Sequence, residues 1–329
     1  MESKDKIFIS WTHGASRRTD SLAKYIDFKV FRFSLFPRRP LFALLKYPIQ
    51  LIVSFYFLLK KRPKIVAIEF CTPFIGILGY IYKLLFKKPY IVDLHSGPIV
   101  SKKWSFLKPL TNLILINSDV IILHEETIKE KIHFKKEKNL FVLNDPPITF
   151  EDFSLGFNKV IKEKDYFVFP ASGDSDEPIE EIIKISSLLS DFNFVITGNV
   201  KSTHKKIPKN LIFTGYLSQS DYYSVLKNSR AVISLTDWDY TLTCSSLEGL
   251  IFEKPVIVSN KVALKNFFKS AALYVENKCD SIIKGIKKLN LNYSYYSDEI
   301  RKLKREYILK WSENLKLLKD LIFSLEKLY

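Results

Sequence analysis

The stretch from Ala231 to Ser259 carries the residue types and the spacing that a phosphate-binding site requires. Its apolar run Ala231–Leu235 predicts a buried parallel strand, and the polar residues 236–243 predict a loop that leads into a helix. Lys254–Pro255 ends that helix, because proline cannot continue it. Free amide groups and the helix dipole attract anions wherever a helix begins at the carboxyl end of a parallel strand. The spacing therefore predicts that this segment binds phosphate.

Side chains near the start of the predicted helix add to this site. Either Ser245 or Ser246 is expected to cap the helix. Several hydroxyl groups of the segment could also donate hydrogen bonds to a phosphate, namely those of Thr241, Thr243, Ser245 and Ser246. Glu248 lies one turn into the helix, where a carboxylate can accept hydrogen bonds from a ribose. Phosphate and ribose contacts in one segment predict a nucleotide ligand.

The same segment resembles the donor-binding motif of GT-B glycosyltransferases of the retaining family-4 type. In that motif two glutamates separated by seven residues are followed by Gly-Lys-Pro-Val or a close variant. Glu248 matches the second glutamate and residues 253–257 match the end of the motif, whereas Tyr240 stands in place of the first glutamate. The resemblance implies that Glu248 contacts the ribose of a nucleotide diphosphate sugar and that transfer retains the anomeric configuration. Because the first glutamate contacts the donor sugar in that family, the identity of the sugar stays open.

The resemblance also implies two loops that frame the base and a reaction without a metal ion or cofactor. Gly198 lies in one of these loops, and Gly215 and Tyr216 lie in the other. Tyr216 is expected to contact the base, with ordinary packing as the alternative. The acids of Asp237–Asp239 have the Asp-x-Asp spacing of the metal-binding GT-A fold, but they precede the donor helix of a different architecture. The five histidines lack the spacing of metal ligands.

Two polar loops of the first half are candidates for catalysis and for acceptor or phosphate contacts. One loop comes directly after the first predicted strand and offers His13, Gly14, Arg17 and Arg18 for contacts with phosphate or acceptor. The alternative is a surface turn with solvated arginines. The second follows an apolar strand and holds Asp93 and His95. His95 is expected to hydrogen-bond the donor sugar, while Asp93 orients it or accepts a proton from the incoming hydroxyl. The alternative is a structural Asp–His pair that fixes the turn.

Strand and helix patterns alternate along the whole chain, which predicts an α/β protein with two parallel sheets. The resemblance implies the GT-B architecture, in which two Rossmann-like domains face a cleft. We expect an N-terminal acceptor domain over residues 1–150 and a nucleotide-sugar domain over residues 151–298. Residues 299–329 have helical periodicity and are expected to cross back to the first domain.

Charge and cysteine content narrow the classes of partner. Residues 1–150 hold 25 Lys+Arg against 12 Asp+Glu, a net charge of +13, whereas residues 151–329 hold 26 against 23, a net charge of +3. This imbalance favours an anionic partner for the first half, such as membrane lipid or a lipid-linked phosphate. The alternative is that the lysines only reflect a lysine-rich proteome.

Residues 41–59 are apolar but contain Lys46 and Pro48, which favours a helix at a membrane surface, or a core helix, over a membrane span. Three widely spaced cysteines and no signal-peptide pattern predict a cytoplasmic protein.

The sequence therefore predicts a glycosyltransferase, peripheral to the inner face of the plasma membrane, that uses a nucleotide-sugar donor. Its expected acceptor is a lipid-linked intermediate or saccharide of cell-surface polysaccharide assembly. A nucleotide-sugar epimerase of GT-B fold and a non-catalytic, membrane-associated GT-B protein are the alternatives. A nucleic-acid-binding protein is not favoured, because basic and aromatic residues do not interleave on one face. The base, the sugar, the acceptor and the oligomeric state stay open.

Overall fold

The computed structural model describes residues 6–14, 16–35, 43–132, 140–148, 161, 165–200 and 206–328. The chain divides into two compact units. The first unit comprises Met1–Pro146 and Lys310–Tyr329, and the second comprises Pro147–Leu309. The predicted boundary between residues 150 and 151 lies outside the described residues.

The first unit is built on a sheet of six parallel strands. In chain order these are β1 (Lys6–Ser10), β2 (Lys29–Arg32), β3 (Ile65–Phe70), β4 (Tyr90–Leu94), β5 (Val120–Leu123) and β6 (Leu140–Val142). Their order across the sheet is β2-β1-β3-β4-β5-β6, so the direction of chain progression reverses between β1 and β3. The helices are α1 (Arg17–Tyr25), α2 (Ala43–Lys61), α3 (Pro73–Phe86), α4 (Gly97–Val100) and α5 (Lys108–Asn117). Every residue of β3, β4 and β5 is buried, as expected for strands that helices cover on both faces.

The second unit repeats this arrangement. Its strands are β7 (Tyr166–Pro170), β8 (Asn193–Thr197), β9 (Leu211–Phe213), β10 (Ala231–Ser234), β11 (Val256–Ser259) and β12 (Ala272–Val275), in the sheet order β12-β11-β10-β7-β8-β9. Its helices are α6 (Ile179–Leu188), α7 (Gln219–Asn228), α8 (Cys244–Ile251), α9 (Val262–Phe268), α10 (Cys279–Leu291) and the first part of α11 (Tyr293–Leu328). Here the reversal lies between β7 and β10. Open parallel sheets bind ligands beside the carboxyl ends of strands at such reversals.

The C-terminal part of α11 belongs to the first unit, as predicted. The indole N–H of Trp311 donates to the backbone carbonyl of Asn144 (3.0 Å), and the Asn314 amide donates to that of Val142 (3.0 Å). Trp311 also packs edge-on against Tyr25 of α1. The helix begins at Tyr293, six residues before the predicted start, because Tyr293 and Tyr296 pack on the core of the second unit.

Three other differences from the sequence predictions have local causes. β2 was not predicted, because it is an edge strand of four residues with no buried side chain. The sequence pattern of residues 126–132 predicts a further helix, but the structure has only a 3₁₀ turn there, Thr127–Lys131. Neither Ser245 nor Ser246 caps α8, because Thr243 is the residue before the helix and both serines lie within its first turn. Among the described residues, no helix is both long and apolar enough to cross a bilayer.

Candidate active site

The first unit gathers polar side chains beside the reversal between β1 and β3. Glu69 of β3 is fully buried, and its carboxylate accepts hydrogen bonds from three hydroxyl groups. The donors are Ser10 (2.5 Å), Thr12 (3.3 Å) and Ser16 (3.1 Å). These bonds compensate for the loss of water around a buried carboxylate. Glu69 is therefore held rigidly at the end of the sheet where ligands bind.

Arg18 is not available for the phosphate contact that the sequence predicts. Its guanidinium is buried and binds Asp93 at 2.6 Å, Asp145 at 2.9 Å and the backbone carbonyl of Leu143 at 3.0 Å. Burial opposes the charge of Arg18, but the carboxylates of Asp93 and Asp145 outweigh burial and raise the pKa of Arg18 above its ordinary value. The arginine thus joins α1 to the ends of β4 and β6 instead of facing a ligand.

His95 lies immediately after β4, next to two buried carboxylates. Its Nε2 atom is 3.7 Å from Oδ2 of Asp93 and 3.9 Å from Oε1 of Glu69. These distances exceed hydrogen-bond length, and Nε2 has no hydrogen-bond partner although it is shielded from solvent. The side chain as a whole is one-third exposed, 33%. His95 can therefore reach a ligand, whereas fully buried Asp93 cannot take a proton from an incoming hydroxyl directly. That Asp93 orients His95 stays a prediction.

The loop between β1 and α1 places the remaining predicted residues of the first unit. His13 and Gly14 are exposed, and Gly14 has φ +82°, a left-handed conformation that favours glycine. Arg17 is partly buried and donates to the backbone carbonyl of Pro146 (3.1 Å). Contacts of His13, Gly14 and Arg17 with phosphate or acceptor stay predictions.

His124, the residue after β5, is a buried histidine of the same region. Its Nδ1 atom lies 3.3 Å from the carbonyl oxygen of Leu94, and its Nε2 atom has no partner. Burial, assisted by the positive charge of Arg18, lowers the pKa of His124 to about 4. The folded protein therefore keeps this imidazole neutral at a pH where an unfolded chain would protonate it.

We expect His124 to make the protein less stable as the pH falls. The unfolded histidine takes up its proton near pH 6.5 and the folded one only near pH 4, so the stabilisation is complete above 6.5 and is lost towards 4. The loss is on the order of 3 kcal/mol. Urea unfolding at several pH values measures it, and His124→Gln should flatten the slope whereas His13→Gln, at an exposed position, should not. Equal slopes in wild type and His124→Gln would contradict the assignment.

In the second unit, α8 begins at the carboxyl end of β10, beside the reversal between β7 and β10. Hydroxyl groups at this point bind one another: Ser234 contacts Thr243 (2.7 Å) and Ser245 (2.6 Å), and Thr243 donates to Ser246 (2.8 Å). Ser246 is fully buried and donates to the backbone carbonyl of Thr243, so the predicted phosphate contact of Ser246 is wrong. The side chains of Tyr240, Thr241, Thr243 and Ser245 are partly exposed.

Glu248 is oriented by a tyrosine that the sequence did not reveal. Glu248 is 5% exposed, and its Oε2 atom accepts a short hydrogen bond from the hydroxyl of Tyr222 on α7. A neutral donor close to a nearly buried carboxylate fixes its direction without cancelling its charge. Glu248 is thus a positioned acceptor next to the start of α8.

The loops after β8 and β9 hold the other residues predicted to bind the donor. Gly198 has φ +95°, and a side chain there would place its Cβ 1.9 Å from the carbonyl oxygen of Ala171, so only glycine fits. Its N–H donates to the carbonyl of Gly215 (3.0 Å), which ties the two loops together. Gly215 also has a positive φ, +68°, but faces open space. Tyr216 is 87% exposed, which excludes the packing alternative for this residue.

A carboxylate of the protein itself occupies the loop after β7. Glu177 accepts hydrogen bonds from the backbone N–H groups of Ser172 (2.9 Å) and Gly173 (2.8 Å). Close by, the Thr236 hydroxyl donates to Asp176, and Asp237 accepts from Asn277 (2.8 Å). Within the described ranges, no three acids, histidines or cysteines are grouped as metal ligands.

Comparisons with known proteins identify the architecture. No protein-family model and no curated protein matches the sequence. Sucrose-phosphate synthase of Thermosynechococcus elongatus is 12% identical with a TM-score of 0.75, and the match covers 98% of this chain and 99% of that one. HepE of Anabaena, in complex with UDP and glucose, is 9% identical with a TM-score of 0.70 and coverage of 97% and 91%. A glycosyltransferase from Rickettsia africae is 15% identical with a TM-score of 0.68 and coverage of 96% and 88%.

The chain has the GT-B fold. The predicted fold class is thereby confirmed: both units are α/β, and each is built on six parallel strands. In this GT-B chain both polar clusters lie beside strand-order reversals, around Glu69 and His95 in the first unit and around Glu248 in the second. Parallel sheets bind ligands at those positions, so each unit has a candidate ligand site.

Sequence reasoning missed three residues of these sites in the GT-B chain: Glu69, Glu177 and Tyr222. Glu69 carried a usable signal, since a single charge at the end of the otherwise apolar run Ile65–Phe70 is rare unless it has partners. Glu177 lies in a loop with several acids, and the sequence does not distinguish which of them binds the backbone of the loop. Tyr222 and Glu248 lie 26 residues apart in sequence and on different helices, so no local pattern predicts their contact.

Proposed function

We propose that the protein is a glycosyltransferase that moves a sugar from a nucleotide diphosphate donor to an acceptor hydroxyl. The observation that supports this most is the start of α8, where an oriented carboxylate, Glu248, lies beside partly exposed hydroxyls at a strand-order reversal. HepE, whose fold this chain shares, was solved in complexes with UDP, with UDP and glucose, and with UDP-glucose.

The donor, in this proposal, binds the second unit. Its diphosphate receives hydrogen bonds from the amides at the start of α8 and from the hydroxyls of Thr241, Thr243 and Ser245. Glu248 accepts hydrogen bonds from the ribose, and exposed Tyr216 stacks on the base. Tyr240 lies where a contact with the donor sugar is expected from the motif.

The reaction, in this proposal, retains the anomeric configuration. The bond between the anomeric carbon and the acceptor oxygen forms on the face from which the diphosphate departs, while the bond to the diphosphate breaks. The acceptor proton passes to an oxygen of the leaving diphosphate. The protein positions the reactants and stabilises the charge of the leaving group. His95 contributes a hydrogen bond to the donor sugar, and His13, Gly14 and Arg17 contact the acceptor or its phosphate.

The acceptor proposed for the first unit is a lipid-linked intermediate or saccharide of cell-surface polysaccharide assembly, used at the inner face of the plasma membrane. The support for this is charge: residues 1–150 have a net charge of +13, against +3 for residues 151–329. An anionic acceptor, such as a lipid-linked phosphate, would be attracted to that half of the chain.

Thermal unfolding with a panel of UDP, GDP, ADP and dTDP sugars tests the donor proposal. A ligand that binds only the folded protein stabilises it by about 2.7 kcal/mol at a hundredfold excess over its dissociation constant. Any donor found is then incubated with candidate acceptors, and NMR of the anomeric proton reports retention or inversion. Release of free sugar or an epimer without acceptor would favour the epimerase, and stabilisation by no nucleotide would contradict the proposal.

A further inference from the structure

The helix α2 buries two polar residues and exposes a row of apolar ones. Gln50 and Ser54 are fully buried, where Gln50 donates to the Phe33 carbonyl (3.1 Å) and Ser54 accepts from the Trp11 indole (3.0 Å). The opposite face carries five exposed apolar residues at steps of four and three: Leu45, Ile49, Ile52, Tyr56 and Leu59. Ile52 is 68% exposed and Tyr56 66%. A helix that faces water has the reverse distribution, so the outer face of α2 is suited to apolar surroundings.

The neighbouring helices extend this apolar surface. α3 packs against both α2 and α5, and right-handed crossovers place these three helices on one face of the first sheet. α3 and α5 expose further apolar side chains: Ile81, Leu84 and Leu85 on α3, and Leu113 and Ile116 on α5. Phe106, just before α5, is 71% exposed. Many exposed apolar side chains on adjacent helices favour an interaction site, whereas single exposed apolar residues do not. We call the outer surface of α2, α3 and α5 the helical face.

The exposed charges within residues 43–118, the segment that forms the helical face, are all positive. Residues 43–118 contain eleven lysines and arginines but only two acids, Glu69 and Asp93, and both acids are fully buried. The exposed basic residues cluster at helix ends. Lys60, Lys61 and Arg62 are at the end of α2, and Lys87 follows α3. Lys102 and Lys103 begin the 3₁₀ segment before α5, and Lys108 is the first residue of α5. The surface that this segment offers to a partner is therefore apolar and basic.

We propose that the helical face docks on the surface of an anionic lipid bilayer. The apolar side chains of α2 enter the boundary between headgroups and acyl chains, and the basic residues at the helix ends bind anionic headgroups. A second copy of this chain is a poorer occupant, because pairing two such faces would bring like charges together. The contact of the helical face with lipid is independent of the proposed function. The further idea that docking presents a lipid-linked acceptor to the first unit rests on the proposed function.

Vesicle flotation of the full chain tests the docking. We expect it to float with vesicles of phosphatidylglycerol mixed with phosphatidylcholine, less with phosphatidylcholine alone, and less at high salt. Ile52→Glu combined with Tyr56→Glu should lower vesicle affinity about tenfold or more. Lys60→Gln combined with Lys61→Gln should lower affinity for the anionic vesicles only. Leu188→Glu is the matched control, because Leu188 is 60% exposed on α6 of the second unit.

The outcomes separate this inference from the donor proposal. Thermal unfolding should show that all variants fold and still respond to the nucleotide that stabilises the wild type. Equal flotation of the Ile52→Glu/Tyr56→Glu variant and the Leu188→Glu control would overturn the docking and leave the donor proposal standing. A dimer of the wild-type chain that dissociates in the Ile52→Glu/Tyr56→Glu variant would assign the face to a second copy. Retention by nucleic acid instead of anionic vesicles would also overturn it.

Discussion

Replacing Glu248 with glutamine should weaken nucleotide binding about tenfold to a hundredfold and abolish most of the transfer activity. A hydrogen bond to a charged group contributes about 1.5–3 kcal/mol, and the neutral amide would accept from the ribose less strongly. Glutamine keeps the shape of the side chain, so the buried start of α8 should stay filled. Isothermal titration with the nucleoside diphosphate measures the affinity, and a transfer assay measures the activity.

Tyr222→Phe is the matched variant for this prediction. It keeps the charge of Glu248 and removes the hydroxyl that orients it. We expect a smaller loss of affinity than in Glu248→Gln, since the carboxylate can still reach the ribose in one of several orientations. Wild-type affinity in Glu248→Gln would refute the ribose contact. A loss in Tyr222→Phe with none in Glu248→Gln would mean that the tyrosine, and not the carboxylate, contacts the ligand.

The sheets were predictable from sequence because their signal is local. Fully buried strands such as β3, β4 and β10 are short apolar runs, and each is recognisable without knowing its neighbours. Edge strand β2 lacks this signal, since its residues Lys29–Arg32 are only partly buried. The order of elements therefore followed from sequence, except at β2, whose charged ends interrupt the apolar pattern.

The candidate sites were less predictable because their chemistry depends on contacts between distant residues. Arg17 and Arg18 are adjacent and identical in type, yet the helical turn directs Arg18 into the unit, towards Asp93, which lies 75 residues away. No local pattern distinguishes the two arginines. Glu248 was singled out because it carries a motif, whereas the cap of α8 was misplaced because this stretch offers several hydroxyls in succession.

Replacing Arg18 with methionine should destabilise the first unit by about 3–5 kcal/mol, because it leaves the carboxylates of Asp93 and Asp145 buried without a counter-charge. Arg32→Met is the matched control. Arg32 pairs with Asp20 at 2.7 Å, close to the 2.6 Å between Arg18 and Asp93, but that pair is partly exposed, so its loss should cost less than about 1 kcal/mol. Burial, and not distance, decides the difference.

Urea unfolding followed by tryptophan fluorescence measures both changes, since Trp11, Trp104 and Trp311 lie in the first unit and only Trp238 lies in the second. Arg18→Lys adds a test of geometry. Lysine keeps the positive charge but has a single nitrogen, whereas the planar guanidinium binds Asp93 and Asp145 with different nitrogens. The stability of Arg18→Lys should therefore lie between those of the wild type and Arg18→Met. Equal losses in Arg18→Met and Arg32→Met would show that Asp93 and Asp145 do not need a counter-charge. In that case Arg18 would again be a candidate for the phosphate contact.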